Sequence, residues 1–244
     1  MKNIHLPLLF ICFICVTSFD LKKKNTVSEI KDLYLIANIN SGLNDELTDA
    51  LKDALNIGIK NAVNVLSKEN GFFKDPLVKI PFPDEVKFVE DKLRRVGMGR
   101  MVDDFILKMN RGAEKAVIKA TPIFMTAIKS MNFKDALEIL KGKDNAATMY
   151  LKETTTEALY DAFSPEVNAV LNQTGVARNW EKITTAYNKI PFTKDVESDL
   201  TKYVTNKALN GLFIKMAYEE KLIREKPAAR VTEILKRVFG LLDR

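Results

Sequence analysis

The chain has 244 residues, 46% hydrophobic and 29% charged, with 10 Gly and 8 Pro, which suits one large or two small globular domains and excludes collagen-like and low-complexity classes. Its 38 Lys and Arg stand against 32 Asp and Glu, and the resulting +6 is spread too thinly to define a polyanion site by itself. The single His and both Cys lie in the first fifteen positions, as His5, Cys12 and Cys15. A mature chain without that segment would hold no Cys/His zinc site, no thiolate or His-ligated cofactor, no Cys nucleophile and no Ser-His-Asp triad.

Residues 1–18 read as an export signal. Lys2 supplies the positive end, Leu6 to Val16 is an apolar run of eleven residues, and Ser18 offers a small residue for cleavage before Phe19. The run is short for a spanning helix, which needs about 20 residues. A lipobox wants a small residue before its Cys, whereas Cys12 follows Ile11 and Cys15 follows Ile14. A cleaved, unlipidated, periplasmic or secreted product is therefore expected, with a leader and short helix over 19–40 and one helical domain over 41–244. Lys22-Lys23-Lys24 in the leader could meet an anionic membrane or wall polymer; its plain reading is a disordered basic stretch.

From residue 44 the apolar spacing is helical. Leu47, Leu51, Ala54, Leu55, Gly58, Ala62, Val65 and Leu66 place one amphipathic helix over 44–67, ended by Asn70-Gly71. The Pro-rich stretch 72–83 reads as a connector packed by its own apolar side chains. A helix from Asp84 to about Val96 is broken by Gly97 and Gly99, and a longer one follows over 100–119, with Pro122 as a kink or restart. Asn132 suits the cap of a short helix ending near Gly142. Further helices are expected over 144–163, stopped before Pro165, then 165–173 and 178–189. The longest is expected over 196–225, and the last runs from Pro227 to Gly240. Strand alternation never persists. The fold class is all-α: a single compact multi-helix bundle of about eight to ten helices. KIPFPDEV at 79–86 echoes KIPFTKDV at 189–196. The plain reading is two similar helix starts; the sharper one is two related helical halves.

Three polar groups could carry function. On the 100–119 helix, Asp104, Asn110, Arg111 and Glu114 lie on nearby faces, so Arg111 can pair with one or both acids. Glu219 and Glu220 precede Arg224 at five- and four-residue spacings, of which the four-residue spacing suits a helical ion pair, and Arg230 in the first turns of the last helix needs an acid or an anion against the helix dipole. Tyr150, in NAATMYLKETT, can bring a hydroxyl to a polar network. Arg111, Glu114, Glu219, Arg224 and Arg230 are expected to converge in one cluster. P-loop, Rossmann, nucleophile-elbow and EF-hand patterns are absent, no cofactor or metal is implied, and no basic stripe interleaved with aromatics points to nucleic acid.

The strings FILKMNRGAEKAVIKATPIFMTAI (105–128), DALEILKGKDNAATMYL (135–151), YVTNKALNGLF (203–213) and EEKLIREKPAARVTEILKRVFG (219–240) resemble an exported bacterial family known as domain of unknown function 4197. The resemblance spans about 41–240. It implies an exported helical domain and brings no activity. It also implies an acid where Ile106 stands and an Ala where Gly112 stands. The residues favour a non-enzymatic binding or structural protein of the periplasm or cell envelope, whose partners would be a lipid, a small anionic ligand or an envelope protein. The alternative is a carboxylate-based hydrolase of envelope material, with Asp104, Glu114, Glu219 and Glu220 as its candidate acids.

Overall fold

The computed structural model describes residues 41–189, 196–197, 199–226 and 236, and among them the regular structure is helical, with no strand. The elements are α1 (Ser41–Leu66), α2 (Lys87–Arg95), α3 (Gly99–Ala116), α4 (Ala120–Ser130), α5 (Phe133–Lys141), α6 (Ala146–Gln173), α7 (Val176–Tyr187) and α8 (Leu200–Glu225). Short 3-10 turns at Asp84–Val86 and Val117–Lys119 lead into α2 and join α3 to α4. The chain divides into two units after Glu46, and the helical bundle is the unit that starts at Leu47.

α6 is the central element, in contact with α3, α4, α5, α7 and α8. Its buried side chains include Ala147, Leu151, Thr155, Leu159, Phe163, Val167 and Leu171, one at every fourth position, so a continuous ridge runs the length of the helix. That ridge explains why the expected stop before Pro165 does not occur and why α6, at 28 residues, is longer than the 26-residue α8. Proline inside a helix costs roughly 3 kcal/mol. Continuing past it buries Val167 and Leu171, each worth about 1.5–3 kcal/mol. Pro165 itself is exposed, and so is Asp161, whose carbonyl receives no N–H from the proline.

The Pro-rich connector after α1 is built into the core rather than looped over it. Phe72, Val78, Ile80 and Phe82 are buried, and Phe82 stacks with Phe105 and Trp180 at ring separations of 5.2 and 5.7 Å. A Cβ on Gly211 of α8 would sit 2.7 Å from Phe72 Cε1 and 3.2 Å from the Val78 Cβ, so the missing side chain lets the connector lie directly on α8. Earlier in the same turn, a Cβ on Gly71 would come within 2.4 Å of the Val65 carbonyl oxygen.

Helix ends follow the local chemistry. Asn132 and Asp135 form a reciprocal capping box at the start of α5. α2 closes with a Schellman motif, in which Met98 N–H donates to the Leu93 carbonyl and Gly97 N–H to Arg94, with Gly97 at φ +84°. Within the echoed KIPF segments, 79–86 is described, whereas 190–195 lies outside the described residues. The last expected helix, from Pro227, also lies outside them apart from Lys236.

Candidate functional site

Of the polar residues singled out in the sequence, Asn110, Arg111 and Glu114 belong to one network and Glu220 and Arg224 to another, and no hydrogen bond or ion pair between described residues joins the two. The first is built on α3. Asn110 is fully buried, donates from Nδ2 to the carbonyls of Ile80 and Ile106 at 2.8 Å each, and accepts from Ile80 N–H at 2.9 Å. A side-chain amide thus completes both backbone groups of Ile80, as a neighbouring strand would. One turn on, Glu114 accepts the Phe72 and Phe73 N–H groups on Oε1 at 3.1 and 3.2 Å, and the Arg111 guanidinium on Oε2. Arg111 also reaches Glu69 Oε1 at 3.0 Å and Asn70 Oδ1 at 3.1 Å. Asn70 takes a left-handed conformation there, φ 69°, which Asn tolerates. Of its two expected partners Arg111 therefore pairs with Glu114. Asp104 pairs instead with Lys108 on the exposed side of α3.

The second network ties α8 to the α5–α6 junction. Glu220 accepts from Ala147 N–H on Oε1 (3.0 Å), and from Thr148 N–H (2.9 Å) and the Thr148 hydroxyl (2.8 Å) on Oε2. Asn145, the residue before α6, makes no side-chain cap, and the first turn of α6 holds no acid. Glu220 supplies the missing acceptor and the negative charge that a helix N-terminus favours. Arg224 grips the same carboxylate through Nε (3.0 Å) and Nη2 (2.8 Å), and donates to the carbonyls of Ile139 (2.9 Å) and Leu140 (3.5 Å) at the end of α5. One ion pair thus caps the end of one helix and the start of the next. The side chains of Glu220 and Arg224 are 10% and 12% exposed, so the pair acts in a largely desolvated place. Glu219, its neighbour in sequence, meets only Asn61 Nδ2 at 3.3 Å among the described residues, at the exposed rim between α1 and α8.

Among the described members of the expected cluster, Arg111 and Glu114 thus share one hydrogen-bond network and Arg224 belongs to another, with Glu219 in neither and Asp104 apart from both. Arg230 lies outside the described residues. Tyr150 is half-buried; burial pushes its phenol above the usual range, and the nearby Asp135 carboxylate adds to the shift. Tyr203, which opens the YVTNKALNGLF string but is not among the expected site residues, is raised further by burial, then by Asp84 and Glu85, and donates to the Pro81 carbonyl at 3.3 Å.

Beside the second network lies a small, partly open cleft of about 30 Å³, room for one or two waters. Leu51, Leu55 and Ile59 of α1, Leu151 of α6, and Met216 and Ile223 of α8 form its apolar walls, and Glu220 and Arg224 form its polar edge. Among the described residues no three His, Cys, Asp or Glu side chains gather as a metal-ligand set, and no helix is long and apolar enough to cross a membrane.

A family model described as a protein of unknown function, DUF4197, matches residues 42–240. The chain belongs to that family. The match includes both networks and the cleft. No curated protein and no solved structure matches the chain. Where the family resemblance implied an acid, Ile106 is buried in the core, and where it implied Ala, a Cβ on Gly112 would stand 3.7 Å from Val167, in ordinary contact.

Proposed function

We propose that this DUF4197 protein is exported by its first eighteen residues and serves as a non-enzymatic binding or structural protein of the bacterial periplasm or cell envelope. The observation that carries the reading is the use made of its acids. Glu114 and Glu220 each hold two backbone N–H groups and an Arg, and both Arg side chains are engaged in turn. A general acid or base needs a proton site facing substrate. These carboxylates face backbone, and an acid withdrawn to do chemistry would leave buried amides without acceptors. The apolar walls and polar edge of the α1–α6–α8 cleft have the chemistry of a small apolar ligand's site, and the helices would have to part for an acyl chain to enter.

Two measurements test this. Fractionation with N-terminal sequencing of the cell-derived protein should find it outside the cytoplasm and starting at Phe19; a cytoplasmic protein beginning at Met1 overturns the export half. Native mass spectrometry of the same preparation should find a fraction carrying lipid-sized mass, and bare protein throughout counts against a lipid in the cleft.

A further inference from the structure

The bend between α2 and α3 is exposed. No residue of α2 is buried. At the bend Val96 is 71% exposed, Met98 42% and Met101 47%. The ten residues 92–101 contain Lys92, Arg94, Arg95 and Arg100 and no acid. Arg94 is shared by Glu90 and Asp103, both at 2.8 Å, so the three together keep one net negative charge beside the remaining cations. Lys92, Arg95 and Arg100 make no ion pair among the described residues, and Asp91 is the nearest remaining acid in sequence. The start of α3 points the same way: Met98 offers no side-chain cap and the first turn holds no acid, so the positive end of the helix dipole adds to the cations.

We propose that this bend docks on an anionic phospholipid surface, with Val96, Met98 and Met101 entering the acyl boundary and Lys92, Arg95 and Arg100 at headgroup level. Exposed apolar side chains interspersed with cations are the pattern of interfacial anchors. A protein partner fits less well. Three exposed side chains fall far short of the roughly 800 Å² per partner of a stable interface, whereas a bilayer needs no complementary groove. The proposal deepens the envelope reading and rests on it for access to lipid. Vesicle binding is measured in vitro and fractionation in cells, so either can fail alone.

The test is co-sedimentation of the cell-derived protein with phosphatidylglycerol-rich vesicles and with pure phosphatidylcholine vesicles, at low and high salt. Every bend variant carries the same N-terminus. A nearby Lys or Arg contributes about 1 kcal/mol at such a surface, roughly five-fold, so Arg95→Gln with Arg100→Gln should weaken binding about thirty-fold. Val96→Asp with Met98→Asp should remove most of it. Both pairs are exposed, and unchanged thermal midpoints verify their folds. Lys22, Lys23 and Lys24 changed to Gln should have the smaller effect. The proposal is overturned if the bend variants sediment like the parent, if neutral vesicles bind equally, if high salt leaves binding intact, or if the bend instead mediates a dimer or captures a protein.

Discussion

Glu219 and Glu220 are adjacent and chemically identical, and the structure assigns them very different weights. Glu220→Ala removes three hydrogen bonds at the start of α6 and the carboxylate that Arg224 grips. Losing an N-terminal cap costs about 1 kcal/mol. Removing one partner of a buried ion pair costs about 3–5 kcal/mol where the other charge is left stranded. Arg224 keeps the Ile139 and Leu140 carbonyls and the cleft is open to solvent, so the expected total is about 3 kcal/mol, near the lower end of that range. Against a typical domain stability of about 5–15 kcal/mol this is a large fraction. Glu219→Ala loses a 3.3 Å bond at the rim and should stay within about 0.5 kcal/mol of the parent. Urea unfolding followed by circular dichroism measures both, with the slope unchanged if the native and unfolded states are otherwise alike. Equal losses for the two variants, or a Glu220→Ala protein as stable as the parent, would refute the assignment of Glu220 as the α6 cap.

Asn110→Ala leaves the Ile80 N–H and carbonyl buried and unpaired and should cost about 2–4 kcal/mol by the same urea assay; a loss under about 1 kcal/mol shows that water replaces the amide. Two glycines should respond with opposite signs in thermal midpoint. Gly112→Ala adds a Cβ in ordinary contact with Val167 and should stabilise by up to about 1 kcal/mol, whereas Gly211→Ala drives a Cβ into Phe72 and should cost about 1–3 kcal/mol. Tyr203 has its pKa raised by burial, so its neutral form belongs to the folded state. Its contribution is complete below the unfolded phenol value of about 10 and is lost as pH rises through the higher folded value. Tyr203→Phe should therefore flatten part of the fall in stability above about pH 10, and an unchanged alkaline slope would show that its phenol ionises freely in the fold.

Much of the architecture was legible because local signals agreed with it. The 3.6-residue spacing located α1, the glycine pair at 97 and 99 separated α2 from α3, and Asn132 marked the start of α5. Pro165 misled because a local rule was outweighed by a ridge of buried side chains that only the folded chain assembles. The site followed the same division. The four-residue Glu–Arg spacing identified the 220–224 pair, and the three-residue spacing identified 111–114. What these pairs hold was not legible: Ala147 and Thr148 are more than seventy positions from Glu220, and Phe72 is about forty from Glu114. One weak signal was available, since α6 begins without an acid or a side-chain cap and so needs an acceptor from elsewhere. The division into two networks was out of reach, because it depends on which faces of α3 and α8 look outward.

The central claim is that Glu114 and Glu220 support the fold rather than perform chemistry. It is tested most directly by complementing a deletion strain with Glu114→Gln and Glu220→Gln proteins while measuring how much folded protein each strain contains. The account predicts that any loss of function follows the amount of folded protein and is restored when expression is raised to match the parent. A folded variant at parental abundance that fails to complement would contradict it and return these carboxylates to consideration as reacting groups.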